Sequence, residues 1–203
     1  MKKIVLLGTT LLTLSFGANG GCLLSQSKNI EVTWQAYKTA AKAGVGGKFT
    51  SIEYEPASLN GKNFKELLLG STVKIDKSKI STGNDGRDKR LVESFFNILG
   101  DKFITAKIVD IKATSKHEKG KAKEGVITAM VTMNGKSVKV PMKYTYKDGD
   151  FKATGTIDLF DFGAFKALKS INQACYDLHE GKTWNDVQIG FHTKIKATLC
   201  SSE

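Results

Sequence analysis

The sequence predicts an all-β protein: an eight-stranded antiparallel barrel with two short helices and an apolar interior. Three observations carry that prediction. Apolar and polar residues alternate with period two in about eight segments, so each segment has an inner and an outer face. The connections are of hairpin length, and Asn134-Gly135 and Asp148-Gly149 have the composition of tight turns between paired strands. Twenty glycines against two prolines favour many turns and bends. A meander of this kind closes into a barrel whose interior holds side chains or one small ligand.

The chain opens with a segment that lies outside this domain. Met1, Lys2 and Lys3 are followed by an uncharged run over 4–16 and by small residues over 17–21. That is the plan of a secretory signal peptide, removed after residue 20, with the barrel domain over 21–203. Plain export to the periplasm is preferred to lipid anchoring through Cys22, because Asn19 stands where a lipoprotein signal wants an aliphatic residue. An exported chain can keep disulfides. With Cys22 lipidated or free, Cys175 and Cys200 remain as a pair, the alternative being two buried thiols.

The first strand shows Ile30, Val32, Trp34 and Ala36 alternating with Glu31, Thr33, Gln35 and Tyr37. Gly44, Gly46 and Gly47 then precede Phe49 and Ile52, and glycines inside a strand mark a bulge or bend. Val73 and Ile75 share a face of a strand over 72–80. Helical spacing takes over at 87–99, with Leu91, Val92, Phe95, Phe96 and Leu99 as its stripe and Thr82 or Asn84 as its cap. Strands over 103–111 and 126–133 follow. In the next strand Val138, Val140, Met142, Tyr144 and Tyr146 face in and lysines face out, which solvates the sheet and discourages edge pairing. Phe151, Ala153, Gly155, Ile157 and Leu159 continue the pattern. A second helix over 162–175 carries Phe162, Phe165, Leu168, Ile171 and Cys175. The last strand points Val187, Ile189, Phe191, Thr193, Ile195, Ala197 and Leu199 inward.

The net charge is +11, and +9 once residues 1–20 with Lys2 and Lys3 are removed. Export argues against nucleic acid as the partner. The dispersed lysines read as a solvated barrel exterior, with room for contact with an anionic membrane surface and for a homodimer. No catalytic site is expected. His117, His179 and His192 are scattered, and no serine sits in a nucleophile elbow. Gly44-Val45-Gly46-Gly47-Lys48 fails as a phosphate loop, because Phe49 replaces the metal-binding hydroxyl. No metal and no cofactor are expected. Arg87, Asp88 and Arg90 form a polar anchor at a helix start, with loop fixation the favoured role.

The candidate binding residues are therefore apolar. Trp34, Phe49, Phe95, Phe103, Val140, Met142, Tyr144, Phe162, Phe165 and Phe191 fall on faces read as inward. They either pack a core or line a cavity for a hydrocarbon chain.

Longer stretches tip that balance. Val73-Lys74-Ile75-Asp76, Lys79-Ile80-Ser81-Thr82-Gly83-Asn84 and Arg87-Asp88-Lys89-Arg90-Leu91, followed by Ser94-Phe95-Phe96, resemble the signature of the YceI-like family. Val45-Gly46-Gly47-Lys48-Phe49, the hairpin at 135–140 and Asp161-Phe162-Gly163 extend the resemblance over about 30–199. It implies an exported, lipocalin-like barrel that binds a long isoprenoid or other fatty amphiphile and has no catalytic residues. Two departures stand out. Arg90 replaces a histidine common in that family, and residues 32–38 replace its Asp-x-x-His-Ser element. Arg90 beside Lys89 would suit an anionic head group. The expectation is a periplasmic lipid carrier, the alternative being a non-catalytic envelope protein with a filled barrel and a basic surface.

Overall fold

The computed structural model describes residues 23–115, 120–179 and 181–198. The expected signal segment, Cys22, His117 and Cys200 lie outside the described residues, and of the His179 side chain nothing is described. In chain order the elements are β1 (Leu23–Lys38), β2 (Ala43–Phe49), β3 (Ile52–Glu55), β4 (Asn60–Gly61), α1 (Phe64–Leu68), β5 (Thr72–Asp76), β6 (Ile80–Ser81) and α2 (Asp85–Ser94). A 3-10 turn (Phe96–Ile98) follows. Then come β7 (Phe103–Ala113), β8 (Lys123–Met133), β9 (Lys136–Lys147), β10 (Asp150–Asp158), α3 (Phe165–Ala174), α4 (Tyr176–His179) and β11 (Asp186–Thr198).

All neighbouring strands pair antiparallel, in the order β3-β5-β7-β8-β9-β10-β11-β1-β2-β6, with β4 on the first half of β1. The expected eight strands, with the two-residue β4 in addition, are found as eleven segments. Two of them, β2–β3 and β5–β6, are single strands bent at a corner. Ladder bonds cross that corner: the Thr50 N–H donates to the Lys79 carbonyl at 2.8 Å and the Asp76 N–H to the Ser51 carbonyl at 3.2 Å. The two ends of the pairing path, β3 and β6, thus belong to two strands that pair with each other, and the sheet curls back on itself.

The hairpins form where the turn chemistry places them. Asn134 and Gly135 have φ of 53° and 71°, and Asp148 and Gly149 have 51° and 86°, the positive angles a two-residue turn requires. The alternation then sends Val140, Met142, Tyr144 and Tyr146 of β9 and Phe151, Ala153 and Ile157 of β10 into the core.

Two sets of helices close the barrel. At one end α1, missed by periodicity because it is five residues long, buries Phe64, Leu67 and Leu68. Asn63 caps it, its side-chain oxygen accepting from the Glu66 N–H at 2.9 Å. Phe64 lies 5.0–5.8 Å from the rings of Tyr144, Tyr146 and Phe151, and together they make a solid aromatic floor. At the other end α2, the 3-10 turn and α3 lie over the barrel. Asn84 caps α2, its side chain accepting from the Arg87 N–H at 2.8 Å.

Candidate functional site

Between floor and cap the barrel encloses a cavity of about 180 Å³ whose wall is almost wholly carbon. Alternation produces this wall, because every second residue of β1, β7, β8 and β11 points into the same space. Val32, Trp34 and Ala36 come from β1, Ile104, Ala106 and Ile108 from β7, and Ile127, Ala129, Val131 and Met133 from β8. Leu91, Phe95 and Phe96 close it from the cap, with Ile171 of α3. The polar residues in the wall contribute carbon. Tyr54 Oη donates to Gln26 Oε1 at 2.9 Å, and Gln26 Nε2 in turn donates to the carbonyls of Ser58 and Leu67. Burial, the larger influence, pushes the Tyr54 phenol above its ordinary range.

Five of the ten expected lining residues stand in the wall: Trp34, Phe49, Phe95, Met142 and Phe191. The other five do not, for separate reasons. Phe103 faces outward, because its neighbour Ile104 takes the inner position opposite Ile75. Its ring carries Lys74 Nζ at 4.3 Å and Lys102 Nζ at 5.1 Å. Tyr144 belongs to the floor, stacked on Phe151 at 4.9 Å. Val140 and Phe162 are buried in solid core. Phe165 is 56% exposed and stacks on Phe160 at 4.5 Å. At 100° per residue it lies about 90° from the centre of the stripe formed by Leu168, Ile171 and Cys175.

Arg87 and Asp88 form a clasp rather than a ligand site. Asp88 accepts from the N–H and hydroxyl of Thr82, and Arg87 donates from Nε to Thr82 Oγ1 and from Nη2 to the Thr82 carbonyl, both at 2.8 Å. The clasp ties α2 to β6. Arg90 stands apart, close enough to Cys175 for its charge to offset part of the effect of burial, which raises that thiol. Among the described residues Cys175 is a free, buried thiol at the C-cap of α3, and its expected partner Cys200 lies outside them. His192 is a surface residue bonded to Asp150 at 2.6 Å.

One stretch of the wall was not legible in the sequence. Thr183 and Trp184, half-buried in the loop before β11, line the cavity where it meets this surface loop. Trp184 Nε1 donates to the Thr39 carbonyl at 2.7 Å, the Trp184 N–H to the Tyr37 carbonyl at 2.9 Å, and the Thr39 N–H to the Lys182 carbonyl at 3.0 Å. Lys42 Nζ lies 4.4 Å and Lys182 Nζ 4.3 Å from the Trp184 ring centre. A lone tryptophan in a polar loop gives no periodic signal.

Comparison with known proteins agrees with this geometry. The model of the YceI-like domain matches residues 25–195. Among solved structures, a polyisoprenoid-binding domain from Saccharophagus degradans, implicated in plant cell wall breakdown, superposes with a TM-score of 0.58 at 13% identity, covering 88% of this chain and 99% of its own. BcnA of Burkholderia cenocepacia gives 0.52 at 14% identity over 82% and 96% of the two chains. A Campylobacter jejuni YceI protein gives 0.51 at 19% over 77% and 86%. These likenesses are of fold. No curated protein matches the sequence.

Proposed function

The chain belongs to the YceI-like domain family, and from that premise we propose that it is an exported, non-catalytic carrier that holds the hydrocarbon chain of an isoprenoid or other fatty amphiphile inside the barrel. The observation that carries the reading is the carbon-walled cavity. Such a wall pays no polar desolvation penalty and gains about 0.8 kcal/mol for each methylene it covers. It offers no converging nucleophile, acid and base. The cavity, about 180 Å³, takes a short run of chain as it stands; an empty apolar cavity of about 150 Å³ holds one benzene. A longer isoprenoid is accommodated by rearrangement of Met133, Met142, Leu91 and Phe95 in the wall, two of them flexible methionines. The remainder of the ligand leaves by the mouth at Trp184. The filled-barrel alternative is disfavoured by the same cavity.

Native mass spectrometry of the protein purified from its own periplasm tests this reading. A stoichiometric adduct that extracts into organic solvent as an isoprenoid or fatty amphiphile is expected. A bare polypeptide mass, together with no uptake of added long-chain lipid, would overturn it.

A further inference from the structure

We propose that the cavity opens beside Trp184 and that this mouth recognises an anionic head group, so that the ligand is an isoprenyl or alkyl chain ending in a phosphate monoester. This rests on the chain-binding reading and specifies the class of chain. The cavity wall is almost wholly carbon, so it provides no partner for a head group, and the polar end of any amphiphile must lie at the mouth.

Lys42 and Lys182 lie on Trp184 itself, and Lys38 and Arg90 stand on elements that border it. Lys38 ends β1 and pairs through its backbone with Thr183. Lys42, in the turn after β1, and Lys182 both lie against the Trp184 ring. Arg90, on α2, precedes the lining residue Leu91 and, with Lys38, lies near Cys175, one turn beyond the lining residue Ile171. Lys42 is balanced by Asp186 at 2.9 Å. Among the described residues no carboxylate lies within ion-pair distance of Lys38, Arg90 or Lys182. Three cations from three segments, with no carboxylate partner among the described residues, suit a group of charge near −2, which a phosphate monoester supplies at neutral pH and a carboxylate does not. Arg90 adds a planar fork of donors for phosphate oxygens.

The test compares farnesyl phosphate, farnesol and inorganic phosphate by calorimetry on the full protein, at low and high salt. The wild type is expected to prefer farnesyl phosphate to farnesol by at least about tenfold at low salt, a preference that shrinks as salt screens the charges. A Lys38→Gln/Lys182→Gln double variant, or Arg90→Gln, is expected to lose that preference while keeping its farnesol affinity within about twofold. Lys139→Gln, on the outer face of β9, serves as the control and is expected to keep it. Equal affinity of the wild type for the two farnesyl ligands would overturn the head-group site and leave the carrier reading standing. So would inorganic phosphate binding as tightly as farnesyl phosphate, which would mark a free-anion site. Failure to bind either farnesyl ligand would remove the chain-binding reading, and this inference with it.

Discussion

Gly47 and Trp34 face each other across the β1–β2 ladder, and the indole lies over the glycine. A Cβ at 47 would stand 2.4 Å from Trp34 Cζ2 and 2.7 Å from Cε2. The same device recurs at Gly125, across from the Tyr144 ring. In both pairs the missing side chain lets an aromatic ring lie across the neighbouring strand. Gly47→Ala is therefore expected to destabilise by about 1–3 kcal/mol, read as a lowered urea midpoint with an unchanged slope. On the outer surface Lys194 first, and His192 second, hold the Asp150 carboxyl down to about 2. In the unfolded chain an aspartate titrates near 3.9. A depressed carboxyl contributes stability above the unfolded value and loses it as pH falls through the folded one. Asp150→Asn should then show a stability deficit that is constant above about pH 5 and vanishes towards pH 2. Urea titrations at a series of pH values would decide this; a deficit that persists at pH 2 would assign the loss to packing instead.

The corner where β5 bends into β6 is held by an uncommon residue for such a place. Lys77 is only 6% exposed, and its ammonium donates to the carbonyls of Phe96 and, at 2.9 Å, Leu99. Burial lowers its affinity for the proton, and Asp101 and Asp76 partly restore it. A cation on the free carbonyls at the end of a helical segment satisfies acceptors that the helix itself leaves open. The contact fastens the 3-10 turn, with Phe96 in the cavity wall, to the bent strand. Lys77→Met keeps the stem and removes the donors, so it should cost about 1–3 kcal/mol. It should also speed amide exchange in α2 and the 3-10 turn more than in β8 or β9. Uniform acceleration across all strands would show that Lys77 supports the barrel generally rather than its cap.

At the scale of the molecule the barrel is solid at one end and hollow in its middle. The floor of Phe64, Tyr144, Tyr146 and Phe151 and the core around Phe162 supply packing, while the layer between floor and cap leaves space. Stability and binding are thus separable. Ala129, central in β8, points into that space. Ala129→Phe is expected to lower affinity for a farnesyl chain at least about tenfold, equivalent to about 1.4 kcal/mol, with thermal stability retained. Filling empty volume adds contacts rather than removing them. Undiminished binding by this variant would place the chain outside the barrel.

Much of this architecture could be read from the chain alone. The period-two runs of β9, β10 and β11, the two turns with positive φ and the apolar stripe of α3 were all legible, because each is a property of a segment and its own neighbours. Met142 and Phe191 of the wall followed from them. Phe103 was misplaced because β7 has apolar or β-branched residues on both faces, and only its pairing with β5 decides which face is inner. Phe162 and Val140 were placed inward correctly, yet pack solid core, since an inward direction does not say whether the space is filled. The bends that divide two of the strands, the short pairing of β4, the plug formed by α1 and the two lysines against Trp184 depend on segments far apart in the chain. Periodicity determines which face of each strand avoids water. The curvature and closure of the sheet decide how far apart those faces stand, and so where side chains meet and where a ligand can enter.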